Sequence, residues 1–304
     1  MAGRFCTAIA FNKSGSWVAT GSYDSKVRVT NIYAANKTVD LVGGHTGYVK
    51  FINFISDNRL VTIDKNGGAV VWDYVNGKMI KQLKGIDSDP TSVTFIYDDN
   101  FMLVSTILKT IALFNLKNYE YLTRNFIKVG DVVTDFSYLP ELELLVVATA
   151  LNDLRTYDLK SDESILQQLV IEKNFVQAYK LLDENPTLYI SPIYKTLEAI
   201  WDKIYKEAYV QLEKLNIQGA KDLFEPYKGI PAKTNYIQNL LNDFAEFQKF
   251  VNFVETKKFA LAYQLAFKYP TYKESKYYTV MEEEWNTQMD KVKVLITNME
   301  ILQN

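Results

Sequence analysis

A 42-residue beat runs through two kinds of structure in this chain. Thr30, Trp72, Phe114 and Tyr157 end four similar segments at intervals of 42, 42 and 43, and Ala178, Ala220 and Ala262 follow at 42 and 42. Repetition at that period means stacked units, none able to bury its apolar face alone, and stacks build binding surfaces more often than catalytic pockets. The strand-like alternation stops near Leu159 and helical spacing begins. The 304 residues therefore read as two domains, 1–160 and 161–304.

Residues 49–73, VKFINFISDNRLVTIDKNGGAVVWD, hold three short alternating runs broken by turns at Asp57-Asn58 and Asn66-Gly67-Gly68. Three antiparallel strands are the simplest reading. His45, after Gly44, stands 27 residues before Trp72. The other segments repeat the pattern in worn form. Phe11, Phe54, Phe95 and Phe136 align in one slot of the first strand, and Asn31, Asp73, Asn115 and Asp158 follow the closing slot.

This combination resembles the repeat of WD-repeat β-propellers, in which Gly-His opens the unit and Trp-Asp closes its third strand. The resemblance implies four propeller blades and a buried hydrogen-bonded group in each, made by His, Ser or Thr, Trp and Asp. His45, Thr62 and Trp72 match three of those places in the second segment, with Asn66 where the aspartate is expected. Thr20 and Asp24 keep two places in the first segment, while the third and fourth keep almost none. A single histidine with a structural place in the motif reads as structural. The acidic pairs Asp87/Asp89 and Asp98/Asp99 read as solvated turn residues, since a calcium loop needs more oxygen ligands and a placed glycine.

Beyond Leu159, the stretches beginning Asn174-Phe175, Asn216-Ile217 and Lys258-Phe259 each carry an apolar residue, then Ala, then Leu at intervals of three. That is one face of a short helix, with alanine small enough for a paired helix to approach. Longer second helices follow, with Tyr194, Tyr236 and Tyr278 recurring at 42. The stripe Phe244, Phe247, Phe250, Val254 reads as core, and Glu282-Glu283-Glu284 as a solvated face. Three αα-hairpins of this period form an α-solenoid, longer than the tetratricopeptide unit of about 34 residues. Propeller blades followed by a solenoid resemble the layout of clathrin-like, coatomer-like and intraflagellar-transport-like scaffolds.

WD rings generally close with about seven blades, so four blades predict an incomplete ring. Ile301 falls 42 residues after Phe259, where another hairpin would start. Both ends read as cut, which favours a piece of a longer protein over completion in trans by a partner or an open form that self-associates.

Charge and composition narrow the function. Lys plus Arg total 34 against 36 for Asp plus Glu, 17 against 16 of them in residues 1–160. A nucleic-acid binder shows a basic excess, because phosphate neutralisation supplies much of its affinity, so none is expected despite the many tyrosines. Cys6 is the single cysteine, and its neighbours Phe5, Ala8 and Ile9 predict a buried structural thiol. The absence of a continuous apolar run near the start and of any about 18-residue apolar segment predicts a cytoplasmic protein without a membrane span; the sequons at Asn12 and Asn36 carry no weight there. No Walker loop, G-x-S-x-G or metal-ligand spacing occurs, so no enzyme, cofactor or metal is expected. The reading is a non-enzymatic scaffold or adaptor that binds other proteins, with loops around Tyr23, Lys65 and Tyr97 as contact candidates. The alternative is a propeller that binds a ligand or hydrolyses a substrate at its central channel.

Overall fold

Alternating apolar residues, cut at short intervals by turn residues, form strands too short to stand alone and so pair with their neighbours in sequence. A computed structural model describes residues 5–34 and 37–302, with side-chain surroundings described through 295; Met1, Asn36 and the side chain of Ile301 lie outside. Two compact units result, residues 1–167 with 181–194, and residues 168–180 with 195–304. The segment 181–194 thus groups with the strands.

Among the described residues the strands make four antiparallel sheets, each in simple sequence order and not closed into a ring. The first contains β1 (Cys6–Phe11), β2 (Trp17–Ser22), β3 (Val27–Asn31) and β4 (Thr38–Leu41), and the second β5 (Val49–Ser56), β6 (Arg59–Asp64), β7 (Ala69–Asp73) and β8 (Lys78–Leu83). The third holds β9 (Pro90–Ile96), β10 (Phe101–Thr106), β11 (Ile111–Asn115) and β12 (Glu120–Thr123), and the fourth β13 (Val133–Leu139), β14 (Leu144–Thr149) and β15 (Leu154–Asp158).

Each junction between sheets is an apolar layer. Ala19, Val27 and Val29 of the first sheet meet Leu60 and Trp72 of the second, with Phe54 packed alongside. Val61, Ile63 and Val71 then meet Met102 and Phe114, with Phe95 alongside, and Leu103, Ile111 and Leu113 meet Leu145 and Val147. Each fully buried side chain of this kind stabilises the fold by about 1.5–3 kcal/mol. The closing slot appears as one row in strand register: Thr30 pairs with Val18, Trp72 with Leu60, Phe114 with Met102 and Tyr157 with Leu145. On the first strands Phe11, Phe54 and Phe95 fall in that row, but in the fourth sheet Tyr138 does, and Phe136 pairs two places away with Val147. The connector 124–132 is longer than 42–48 or 84–89, and the added residues displace the slot that equal spacing assigns to Phe136. Cys6 is exposed at the head of β1, not buried.

The helices are α1 (Glu163–Ile171), α2 (Phe175–Glu184), α3 (Pro192–Glu213), α4 (Ile217–Phe224), α5 (Pro231–Asp243), α6 (Phe247–Glu255), α7 (Phe259–Lys268) and α8 (Lys276–Leu302). No described helix is long and apolar enough to cross a membrane. Ala178, Ala220 and Ala262 are each 0% exposed, as close helix approach requires. One turn recurs between α1 and α2, α3 and α4, and α6 and α7. Lys173, Leu215 and Lys257 are left-handed, at φ 57°, 61° and 57°. The amides that follow, of Asn174, Asn216 and Lys258, reach back to the carbonyls of Leu169, Gln211 and Phe253 at 2.8–2.9 Å. That bond satisfies carbonyls the ending helix leaves open.

The expected long middle helix is interrupted by a 3-10 turn, Phe244–Glu246, between α5 and α6. Tyr272 lies 5.0–5.9 Å from the rings of Phe244, Phe247 and Phe250, and the tighter turn brings positions three apart onto one face. In the same unit the buried ammonium of Lys233 lies 2.7 Å from Glu198, under the rings of Tyr179 and Trp201. The Tyr179 hydroxyl donates to the same carboxylate at 2.6 Å. Tyr263 repeats that bond with Glu282 at 2.9 Å, and Glu284 pairs with Lys257 at 3.2 Å, so this acidic run anchors the helix as well as facing solvent.

A lysine held left-handed carries a cost that glycine does not. Lys173→Gly therefore raises the unfolding free energy by about 0.5–1 kcal/mol, read as a higher urea midpoint at unchanged m-value.

Candidate protein-contact site

Blade two contains the chain's single histidine, and its surroundings define what that residue can do. The loop before β5 carries the imidazole inward until its side chain is 1% exposed. Nε2 lies 2.6 Å from the hydroxyl of Thr62 on β6, and the indole N–H of Trp72 on β7 donates to the same oxygen at 2.7 Å. The Thr62 oxygen thus joins the imidazole to the indole across the two strands. Nδ1 stands 3.4 Å from Oδ2 of Asp64, an electrostatic contact longer than a good hydrogen bond.

Asp64, not Asn66, therefore holds the acidic place. Its carboxylate accepts the amides of Thr46, Asn66, Gly47 and Gly68 at 2.8–3.3 Å, so it staples the loop before β5 to the turn after β6. Asn66 is exposed, and its side chain reaches Thr46 at 3.1 Å. Gly68 fits here because a Cβ would stand 2.6 Å from Oδ2. The sequence pattern placed the acid two residues too late, because the turn residues Asn66-Gly67 read as the motif's polar position. Both imidazole nitrogens face inward, toward Thr62 and Asp64.

The other blades join the same two loops with different chemistry. Asp87 stands 42 residues after His45 and Thr106 stands 42 after Asp64; here the acid comes from the first loop and accepts Thr106, Thr110 and Arg124 at 3.3, 3.1 and 2.5 Å. In blade four Asp153 takes the Thr149 hydroxyl and the Arg155 guanidinium, which also donates to the carbonyl of Val129. Asp24 of blade one binds Arg28 at 3.4 Å, whereas Thr20 reaches only the Arg28 carbonyl at 3.5 Å. Asp89 pairs with Lys50 at 2.8 Å. Asp87 and Asp89 are thus structural ties, not the solvated turn residues expected.

Of the three candidate contact residues, two come together. Tyr23 follows β2 and Lys65 follows β6, on the same rim. Tyr23 is 64% exposed and stacks on Tyr48 at 5.0 Å and 9°, and the Lys65 ammonium lies 5.7 Å from the Tyr48 ring. Tyr48 had no sequence signal beyond its place before β5. Tyr97 follows β9, in the set of loops at the other strand ends. Its hydroxyl donates to Glu143 at 2.5 Å, its ring meets Tyr138 at 5.5 Å, and burial beside that carboxylate holds its phenol well above the ordinary pKa. It ties blade three to blade four and does not join the contact candidates.

Two hollows complete the picture. Between β5 and β9 lies a cleft of about 590 Å³ walled by Phe51, Phe54, Val93 and Phe95, with Lys13 and Asp99 among its polar members. Burial pushes the Asp99 carboxyl up, Asp98 adds to it and Lys13 opposes it. In the helical unit a groove of about 930 Å³ between α3 and α4 carries Asp202, Lys203, Lys206, Glu207 and Asp222. Among the described residues no cluster of His, Cys, Asp or Glu has the makings of a metal site.

Asp64→Asn weakens a buried carboxylate that serves four amides, and costs about 2–4 kcal/mol, whereas Asn66→Ala costs less than about 1 kcal/mol; urea unfolding of the two variants distinguishes the assignments. Burial holds His45 below its ordinary 6.5, although Asp64 pulls upward. The unfolded chain then takes up a proton near 6.5 that the folded chain refuses, so this contribution is whole above about pH 6.5 and is lost as pH falls. Stability measured from pH 7 to 5 declines for the native chain, and declines less steeply for His45→Asn.

Comparison with known proteins agrees with this geometry. Residues 2–31 match the family "WD domain, G-beta repeat". The chain is 25% identical over 97 residues to the guanine nucleotide-binding protein subunit beta of Dictyostelium discoideum, covering 31% of this chain and 28% of that protein. It is 30% identical over 88 residues to the guanine nucleotide-binding protein G(I)/G(S)/G(T) subunit beta-1 of Homarus americanus, covering 28% and 26%. The match thus spans about a quarter of the length of these relatives. Among solved structures the computationally designed Ika4 protein aligns with a TM-score of 0.45 at 22% identity, over 52% of this chain and 93% of that one. A WD repeat at residues 2–31 opens the run of four sheets in this chain, and a helical region follows them.

Proposed function

We propose that this protein is a scaffold that binds other proteins, and that the blade rim around Tyr23, Tyr48 and Lys65 is a primary contact. The observation that carries this is the exposed Tyr23 ring stacked on Tyr48 beside the Lys65 ammonium. A stacked aromatic pair loses little conformational freedom on binding and presents a broad, amphipathic area, which suits a hot spot. WD repeats mediate protein interactions in general, and the resemblance to G-protein beta subunits supports that class of activity. The α3–α4 groove, lined by both signs of charge, offers a second surface to extended or helical segments.

The reading is tested with Tyr23→Ala/Lys65→Glu and, as a control, Leu142→Ser on the other set of loops, each purified from native cells after mild crosslinking. We expect a reproducible set of partners that falls at least tenfold in the first variant and persists in the second. If both variants retain every partner, this rim is not the contact.

A further inference from the structure

We propose that the outer edge of β15 docks an extended segment of a partner protein, which adds to the fourth sheet as an antiparallel strand with an acidic residue opposite Arg155 and a leucine opposite Leu154. The site is a sheet edge in the middle of the sequence. It takes from the scaffold reading only that the partner is a protein, and it does not use the Tyr23 rim.

Three sheets end on a fourth strand, β4, β8 or β12, whereas the fourth sheet ends on β15. The turn toward a further strand is nevertheless built. Asp73, Asn115 and Asp158 each accept an amide of the turn that follows, from Asn76, Lys117 and Lys160, at 2.8–3.1 Å. Tyr74, Leu116 and Leu159 are buried beside them, and Gly77, Tyr119 and Asp162 are left-handed at φ 67°, 58° and 64°. After Gly77 and Tyr119 the chain enters β8 and β12, but after Asp162 it enters α1. Local contacts fix α1 as a helix: the Ser191 hydroxyl donates to Glu163 at 2.6 Å, the Asn185 side chain to Asp162 at 2.9 Å, and Leu166 is 0% exposed.

Alternation along the ladder decides which backbone groups are left over. The Leu159 N–H donates to the Glu143 carbonyl at 3.0 Å and the Thr149 N–H to the Asp153 carbonyl at 3.1 Å. Arg155 and Tyr157 therefore bond toward β14, while Leu154, Thr156 and Asp158 turn their N–H and C=O groups outward. The corresponding places in other sheets are used: the Asn31 N–H donates to Lys37 at 3.2 Å and the Ile111 N–H to Arg124 at 3.1 Å. Among the described residues no backbone group pairs with the N–H of Leu154 or Thr156, and both residues are exposed.

β15 also lacks the devices that protect a sheet edge. β4 and β12 are four residues long, register shifts break the β7–β8 and β11–β12 ladders, and β8 carries Lys78 and Lys81. β15 has five residues without lysine or proline, in unbroken register with β14 from Asp158 opposite Leu144 to Leu154 opposite Ala148. It is built like β3, β7 and β11, which are paired on both sides.

Those paired strands define the chemistry of the missing neighbour. The slot of Leu154 holds Val27 and Ala69, which face Leu41 and Leu83. Arg155 shares its slot with Arg28, which faces Asp40 and lies 3.6 Å from its carboxylate while also holding Asp24. The slot of Tyr157 holds Trp72 and Phe114, which face Met79 and Tyr121, and that of Asp158 holds Asp73, which faces Lys78. An antiparallel neighbour of β15 thus reads basic, large apolar, any, acidic, leucine. Main-chain bonds supply its affinity and the alternate side chains its specificity.

The test titrates the whole isotope-labelled chain with the capped peptide Gly-Lys-Tyr-Val-Asp-Leu-Gly, followed by amide shifts and amide hydrogen exchange. We expect shifts and slowed exchange at Leu154 and Thr156. Binding falls at least tenfold when the peptide is N-methylated at its valine and leucine, and at least threefold when its aspartate is replaced by lysine. Thr156→Pro removes one outward amide, spares the β14 ladder, and weakens binding at least tenfold. Should that variant unfold, the N-methylated peptide makes the same comparison on the native chain. Amides of Leu154 and Thr156 that are already protected without peptide overturn the proposal, because another segment or a second copy then covers the edge. So does an absence of shifts there at millimolar peptide, or equal binding of the N-methylated form. Shifts confined to Tyr23, Tyr48 and Lys65 also overturn it, and leave the rim reading standing.

Discussion

The strand half depends on one packing constraint: a sheet of three or four short strands needs an apolar face covered by a neighbour to be stable. Each junction meets this with two unlike apolar faces, a bulky row on the later blade and a smaller aliphatic face on the earlier one. The contrast between Trp72 or Phe114 and Ala19 or Val61 is what lets neighbouring sheets interdigitate. Because every junction repeats the same pair of faces, stability accumulates along the row by nearest-neighbour contacts, as in other repeat proteins.

Polar chemistry is subordinate to that packing but locks its loops. Asp64 gathers four amides in blade two, Asp87 gathers two hydroxyls and a guanidinium in blade three, and Asp153 holds a threonine and an arginine in blade four. The shared requirement is a carboxylate acceptor where the loop before the first strand meets the turn after the second, buried in blade two and partly exposed in blades three and four. Different residues satisfy it because what matters is that buried N–H and O–H groups find a partner, not which side chain supplies it. Blades three and four thus lose the motif while keeping its physical function.

The helical half follows the same economy. A left-handed residue every 42 positions turns one helix into the next, an alanine every 42 lets the helices approach, and aromatic rings fill the remaining space. Where those rings crowd around Tyr272, the helix yields and becomes a 3-10 turn. The Lys233 ammonium is buried beside two rings and its bond to Glu198 fixes α5 to α3, an arrangement whose disruption leaves a buried charge without its partner.

The period, the strand rows, the alanine slots and the break near Leu159 were legible in the sequence, because burial imposes them on every copy and leaves a regular trace. His45, Thr62 and Trp72 were legible for the same reason. Tertiary structure decided the rest. It chose Asp64 over Asn66, because only three-dimensional placement distinguishes two polar residues in one turn. It put Tyr138 in the row expected of Phe136, because a longer connector changes register without changing local pattern. Only folding could unite Tyr23 with Lys65 across Tyr48 while sending Tyr97 to the other loops, since a shared rim depends on how blades stack and not on how far apart residues lie along the chain. Periodicity by itself determined that these units stack; the side chains at their boundaries become a junction or an open face only when a neighbour is, or is not, packed against them.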